Sequence, residues 1–116
     1  MLKVYAYSGC GTCRKAQKFL EENGVPHKLL PIRETPPSLA ELKRMLKAYD
    51  GDIRRLFNTS GQDYRSLGMK DKLPGMKDSE ALELLAGNGN LIKRPFVISK
   101  DKALVGLKPD EWSDMK

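Results

Sequence analysis

The stretch Ser8-Gly-Cys-Gly-Thr-Cys13, followed directly by Arg14 and Lys15, decides how the rest of this chain is interpreted. Before it, Leu2–Tyr7 contains Val and Tyr and predicts a β-strand. After it, apolar residues recur at three- and four-residue steps, which predicts a helix. Two cysteines separated by two residues at such a strand-to-helix junction are typical of a thiol redox site. The stretch therefore predicts both the first structural unit and its chemistry.

Bulk composition predicts one globular domain. The chain has 116 residues, 40% of them hydrophobic and 31% charged, which is enough for one core. No apolar run approaches the roughly 20 residues that a membrane helix needs, and no secretory pattern begins the sequence. We therefore expect a cytoplasmic protein with no membrane contact. In that compartment two close cysteines are more often catalytic or metal-binding than a structural disulfide.

The formal net charge of +6 favours anionic substrates or an acidic partner surface. The basic residues are mostly interleaved with acids, as in Glu41–Arg44 and Lys70–Lys72, and not with stacking aromatic residues. Direct binding of nucleic acid is therefore not expected.

The opening residues predict a strand–helix–strand unit. Gly24 and Pro26 end the first helix, and His27–Ile32 predicts the second strand. A crossover helix between two neighbouring strands makes them parallel. His27 is expected to be a structural or surface residue rather than an acid or base.

Residues 35–87 predict an all-helical insertion. Ser38 and Glu41 form a capping box ahead of a helical stripe of apolar residues. We expect Asp52 to cap a short helix and Asp78 to cap the last helix of the insertion.

The C-terminal part predicts an antiparallel hairpin of Phe96–Ile98 and Ala103–Val105, then a helix that begins near Pro109 and packs Trp112 against the sheet. The order of elements is that of a thioredoxin-like α/β fold with a central mixed four-stranded sheet. One domain is expected, with residues 1–34 and 88–116 forming the core around the helical insertion.

The two cysteines are expected to differ in role. Cys10 precedes a helix whose free N–H groups and dipole would stabilise a thiolate, whereas Cys13, one turn later and more shielded, could attack a mixed disulfide on Cys10. Gly9 and Gly11 leave room for a substrate. A pair of inert, buried cysteines remains an alternative. Zinc needs at least three protein ligands, and the two cysteines with His27 are poorly suited to it, so no metal is expected.

Arg94-Pro95 and Asn58–Gly61 each have two interpretations. Thioredoxin-like proteins carry a cis-proline before the third strand, facing the reactive cysteine, and an arginine beside it could hold an oxyanion or a carboxylate. A solvated arginine and a trans proline are the commoner outcome. Asn58–Gly61 could form a polar lip over the site or simply a helix-ending turn.

Taken together, the sequence resembles the ArsC/Spx family of arsenate reductase-like proteins, which have a thioredoxin fold with an inserted helical subdomain. The residues that carry the resemblance are Cys10–Lys15, Phe57–Gly61, Tyr64-Arg65, Leu91–Pro95 and Val105-Gly106.

The resemblance implies a nucleophile at Cys10, a resolving cysteine at Cys13 and an anion-binding arginine at Arg94. The substrate-binding positions are then expected to be Gly11, Thr12, Ser60 and Pro95. Family members that reduce arsenate place three arginines around the oxyanion. Arg94 matches one of them, while the regions of the other two hold Ser60 and Leu107.

The function implied is that of a thiol-disulfide oxidoreductase similar to the arsenate reductases that couple to glutaredoxin or thioredoxin. It would need no bound cofactor, would take electrons from glutathione or from a thioredoxin- or glutaredoxin-type protein, and would act on a small anionic or thiol-adduct substrate. The alternative is a redox-sensitive regulator of the Spx type that binds the C-terminal domain of the RNA polymerase α subunit, with Gly51 close to a glycine important for that contact.

Overall fold

The computed structural model describes residues 2–7, 11–100, 102–106 and 112. Its mixed sheet has the strand order β2-β1-β3-β4. The strands are β1 (Leu2–Ala6), β2 (His27–Pro31), β3 (Phe96–Ile98) and β4 (Ala103–Val105). Strand β1 runs parallel to β2 and antiparallel to β3, and β3 pairs antiparallel with β4. The predicted parallel pair and the predicted hairpin are therefore both confirmed.

The helices are α1 (Gly11–Glu22), α2 (Leu39–Ala48), α3 (Gln62–Ser66), α4 (Met69–Lys72) and α5 (Asp78–Gly87), with 3₁₀ turns at Ile53–Leu56, Leu73–Gly75 and Gly89–Leu91. Helix α1 connects β1 to β2, and helices α2 to α5 lie between β2 and β3. Residues 32–95, all of which the structure describes, contain no strand. The predicted α/β class, with helices inserted into a mixed four-stranded sheet, is confirmed. Among the described residues, no helix is long and apolar enough to cross a membrane.

The sheet separates two apolar clusters because successive strand residues point to opposite faces. On one face Leu2, Val4 and Val97 pack with α1 and Trp112. On the other face Tyr5 and Phe96 pack with the inserted helices. Trp112 is 1% exposed, as expected of a residue that packs against the sheet. The rest of the predicted last helix lies outside the described residues.

The start of α2 follows the predicted capping box. The Glu41 backbone N–H donates to Ser38 Oγ at 3.2 Å, and the Ser38 N–H donates to Glu41 Oε1 at 3.0 Å. These two bonds satisfy N–H groups that have no partner inside the helix.

Asp52 is the N-cap residue of the 3₁₀ turn Ile53–Leu56, as predicted, but its side chain makes no capping hydrogen bond. Its backbone carbonyl accepts from the Arg55 N–H at 3.1 Å. The predicted cap at Asp78 is wrong. Asp78 is the first residue of α5, and the N-cap is Lys77, whose N–H donates to Glu80 Oε1 at 3.2 Å. Asp78 instead places a negative charge in the first turn, where the helix dipole favours it.

Candidate active site

The redox stretch connects the central strand to the first helix. Strand β1 ends at Ala6, and α1 begins at Gly11. Cys10 lies outside the described residues, and its peptide bond joins it to the first residue of α1. The first N–H groups of a helix have no partner within it and carry partial positive charge, which favours an anion. Gly11 and Thr12 are exposed on this turn, and a Cβ added to Gly11 would meet no heavy atom within 4 Å. The start of α1 is therefore open to an approaching ligand.

Cys13 is in the first turn of α1 and is only 4% exposed. It lines a cavity of about 480 Å³ that Tyr7, Arg14 and Arg33 also line. This burial agrees with the shielded position expected of Cys13. The spacing of the cysteines does not predict this cavity.

The Arg94–Pro95 peptide bond is cis, the less common of the two outcomes expected for it, and Pro95 is buried before β3. Arg94 is half-buried, and its Nη1 atom is buried with no hydrogen-bond partner in the part of the chain that the structure describes. Buried N–H donors are nearly always paired in native proteins. This nitrogen therefore has a donor capacity that the described residues leave unused.

The Tyr7 ring lies close to the guanidinium groups of two arginines, one after β2 and one before β3. The Cζ atom of Arg33 lies 3.8 Å from the centroid of the Tyr7 ring, and that of Arg94 lies 5.3 Å from it. Cations at these distances are attracted to the ring electrons. Two guanidinium groups therefore lie close to the Tyr7 ring, directly after β1.

Sequence reasoning missed Tyr7 and Arg33. An aromatic residue directly before the redox stretch was a usable signal for Tyr7. The sequence held no comparable signal for Arg33, because the turn that follows β2 is what brings its side chain to the Tyr7 ring.

Of the two interpretations of Asn58–Gly61, the structure shows the turn, in which the Gly61 N–H donates to the Asn58 carbonyl at 3.0 Å. Ser60 is exposed and makes no hydrogen bond with any described residue. The segment before this turn is held beside the approach to Arg94, because Phe57 and Ile92 form an antiparallel bridge. The structure thus places the turn on a segment anchored next to Arg94 without bringing the Ser60 hydroxyl into a contact. Leu107 lies outside the described residues.

His27 has the structural position expected of it. It is half-buried at the start of β2, and its Nδ1 lies 2.8 Å from the Val25 carbonyl oxygen. Within the described ranges, no group of three or more His, Cys, Asp and Glu side chains could hold a metal ion.

The arrangement can stabilise negative charge in two ways. The open start of α1 favours a thiolate at the residue that precedes it. The Arg94 guanidinium can donate paired hydrogen bonds to a carboxylate or an oxyanion.

Comparison with known proteins gives the family. The chain is 47% identical over 113 residues to the uncharacterized protein YusI of Bacillus subtilis strain 168, covering 97% of this chain and 96% of that one. It is 31% identical over 112 residues to the global transcriptional regulator Spx of Listeria innocua, covering 96% of this chain and 83% of Spx. The crystal structure of a possible arsenate reductase from Streptococcus mutans UA159 superimposes with a TM-score of 0.90 at 36% identity, covering 99% of this chain and 97% of that one. The sequence pattern of the ArsC family matches residues 5–115, and this chain therefore belongs to the ArsC family.

Proposed function

We propose that this protein is a cytoplasmic thiol-disulfide oxidoreductase in which Cys10 is the nucleophile and Cys13 the resolving cysteine. The observation that carries the proposal is the position of Cys13, buried in the first turn of α1 at the wall of a cavity. An inert core cysteine would be surrounded by apolar side chains, whereas two arginines also line this cavity.

The reaction consists of two exchanges. The Cys10 thiolate attacks one sulfur of a disulfide RS–SR, the bond between the two sulfurs breaks, and RS⁻ leaves as a mixed disulfide forms on Cys10. The Cys13 thiolate then attacks the Cys10 sulfur, which releases the second RS⁻ and leaves a disulfide between Cys10 and Cys13. A dithiol protein of the thioredoxin or glutaredoxin type, or two molecules of glutathione, supplies the two electrons that restore both thiols. No bound cofactor takes part.

Arg94 orients an anionic group of the substrate through its unpartnered Nη1. Gly11 and Thr12 leave the start of α1 accessible. Pro95 and Ser60 are included as substrate-binding residues on the family resemblance.

Disulfides fit this site better than arsenate. Of the three arginines that arsenate reductases of this family place around the oxyanion, this chain supplies Arg94, and Ser60 stands in the region of another. The Streptococcus mutans relative is described as a possible arsenate reductase, so arsenate belongs in the test as a second substrate.

The test is a coupled assay with arsenate and with simple disulfides, run with a glutathione system and a thioredoxin system in turn. Cys10→Ser should abolish turnover. Cys13→Ser should accumulate a mixed disulfide, detected by intact mass as the addition of one RS group. Absence of turnover with every substrate, together with no adduct on Cys13→Ser, contradicts the proposal. So does a Cys10 pKa near the ordinary thiol value of about 8.5.

The Spx relative supports a second candidate, a redox-sensitive regulator that binds the C-terminal domain of the RNA polymerase α subunit. The favourable observation is the exposed turn after α2, where Asp50 and Gly51 both have positive φ, at 57° and 81°. This turn presents Gly51 at the surface, where a partner could contact it. The regulator function requires saturable binding to that domain that changes on oxidation with diamide. No binding in either redox state excludes it.

A further inference from the structure

We propose that the cavity beside Cys13 binds the peptide part of a small zwitterionic disulfide that carries more carboxylates than ammonium groups. The proposal rests on the proposed function and specifies its substrate class.

The cavity has the size and the wall of a small-molecule site. Its volume of about 480 Å³ lies within the usual range of such sites, about 300–1,000 Å³. Ala6, Leu29 and Leu30 provide an apolar wall. Leu29 is 44% exposed, and only one other large hydrophobic residue among those described is comparably open to solvent. A ligand with a short aliphatic backbone would cover this surface.

Arg33 supplies a positioned cation. Its guanidinium lies 3.8 Å from the Tyr7 ring centroid, and Arg33 makes no ion pair with any residue that the structure describes. A guanidinium held against an aromatic ring keeps N–H groups at its edge, where they can donate to a carboxylate. Arg33 is thus held by the ring while its hydrogen-bonding capacity remains available.

The other charges at the cavity define what the ligand must carry. Arg14 is a second exposed cation, and Glu34 is the single carboxylate in the lining. A ligand with two carboxylates and one ammonium group matches this set, since each charge finds its opposite. A neutral disulfide, or a doubly charged anion with no ammonium group, would leave charged side chains without a counterpart.

The cavity lies beside Cys13, the residue that carries out the second thiol-disulfide exchange of the proposed function. Its side chain lines the same cavity as Arg33 and Leu29. An RS group bound in this cavity would lie beside the Cys13 thiol. The cavity would then both select the disulfide and hold it for resolution.

The experiment compares two substrates and three variants, with a thioredoxin system as the electron donor, because reduction of glutathione disulfide by glutathione gives no net reaction. Glutathione disulfide carries the required charges, and bis(2-hydroxyethyl) disulfide carries none. For Arg33→Met we expect kcat/KM for glutathione disulfide to fall by about tenfold or more, the loss of one charge-assisted contact, and kcat/KM for the neutral disulfide to change by less than about twofold. Glu34→Gln should raise KM for glutathione disulfide alone. Arg54→Met, which removes an exposed arginine from the 3₁₀ turn after α2, is the matched control and should leave both substrates unaffected.

A binding measurement separates this proposal from the proposed function. S-methylglutathione cannot exchange, so its binding is independent of any reaction. It should shift the NMR signals of the Leu29 and Leu30 methyl groups and of the Tyr7 ring in the wild-type protein, and these shifts should be lost in Arg33→Met. If neither disulfide is reduced but these shifts occur, the proposed function fails and the binding site stands. Equal effects of Arg33→Met on both substrates, or S-methylglutathione shifts confined to other residues, would overturn the site.

Discussion

The Tyr5 hydroxyl donates a hydrogen bond of 2.7 Å to Oε1 of Glu41 and thereby joins the central strand to the first turn of α2. The same Oε1 accepts from the Ser38 N–H, and Oε2 accepts from Lys3 Nζ at 3.3 Å. Burial, the hydrogen bond to Glu41 and the nearby negative charge all raise the pKa of Tyr5, so its hydroxyl remains a donor. One carboxylate therefore holds the inserted helices against the sheet.

Replacing Tyr5 with Phe should lower the free energy of unfolding by about 1.5 kcal/mol at pH 7. The ring is 4% exposed and packs edge-on to Phe96, with centroids 5.8 Å apart, so Phe retains the packing and loses only a bond to a charged acceptor. Urea unfolding at pH 7 measures the loss. At pH 3 the difference between the two proteins should shrink as Glu41 becomes protonated. A pH-independent difference would mean that the ring, and not the hydrogen bond, is affected.

The same carboxylate should make stability fall in acid. Burial would raise the pKa of Glu41, but the hydrogen bonds from the Ser38 N–H, Tyr5 and Lys3 outweigh it and hold that pKa below its ordinary value. A carboxyl group whose folded pKa is depressed stabilises the protein above its unfolded pKa, near 4.3, and this contribution is lost as the pH falls through the folded pKa. Wild type should therefore lose more stability than Glu41→Gln between pH 6 and pH 3. Parallel pH profiles of the two proteins would contradict this.

Gly89 should not tolerate a side chain. A Cβ at this position would overlap the Ile32 carbonyl oxygen and lie 2.7 Å from its carbon, and both atoms are backbone. Because backbone cannot rotate away, we expect Gly89→Ala to lower the free energy of unfolding by about 3 kcal/mol. Gly87→Ala is the matched control, since nothing lies within 4 Å of its added Cβ. A similar, small effect of the two substitutions in thermal and urea unfolding would show that the turn after β2 can move.

The sequence predicted those parts of the fold that are determined by residues close together in the chain. The capping box at Ser38 depends on residues three apart, and the hairpin depends on one short turn, so both are visible in the sequence. The cap at Asp78 was misplaced by one residue because Glu80 satisfies the N–H of Lys77, and nearby polar residues compete for that role. The contact between Arg33 and Tyr7 joins residues from different strand ends. No periodicity or spacing predicts it, and for that reason the cavity and its cations became visible only in the structure.

Arg94 should attract anions to Cys10, and two alkylating reagents can show it. In a Cys13→Ser background, iodoacetate and iodoacetamide both react with the Cys10 thiolate but differ in charge. On the proposed role of Arg94, removing this cation should slow the anionic reagent selectively, so Arg94→Met should lower the iodoacetate rate by about fivefold more than the iodoacetamide rate. Arg54→Met, in the same background, should leave the ratio of rates unchanged. The selective effect should also weaken as ionic strength rises, because salt screens the attraction. If both reagents slow equally, Arg94 acts on the thiolate itself and has no part in orienting an anionic substrate.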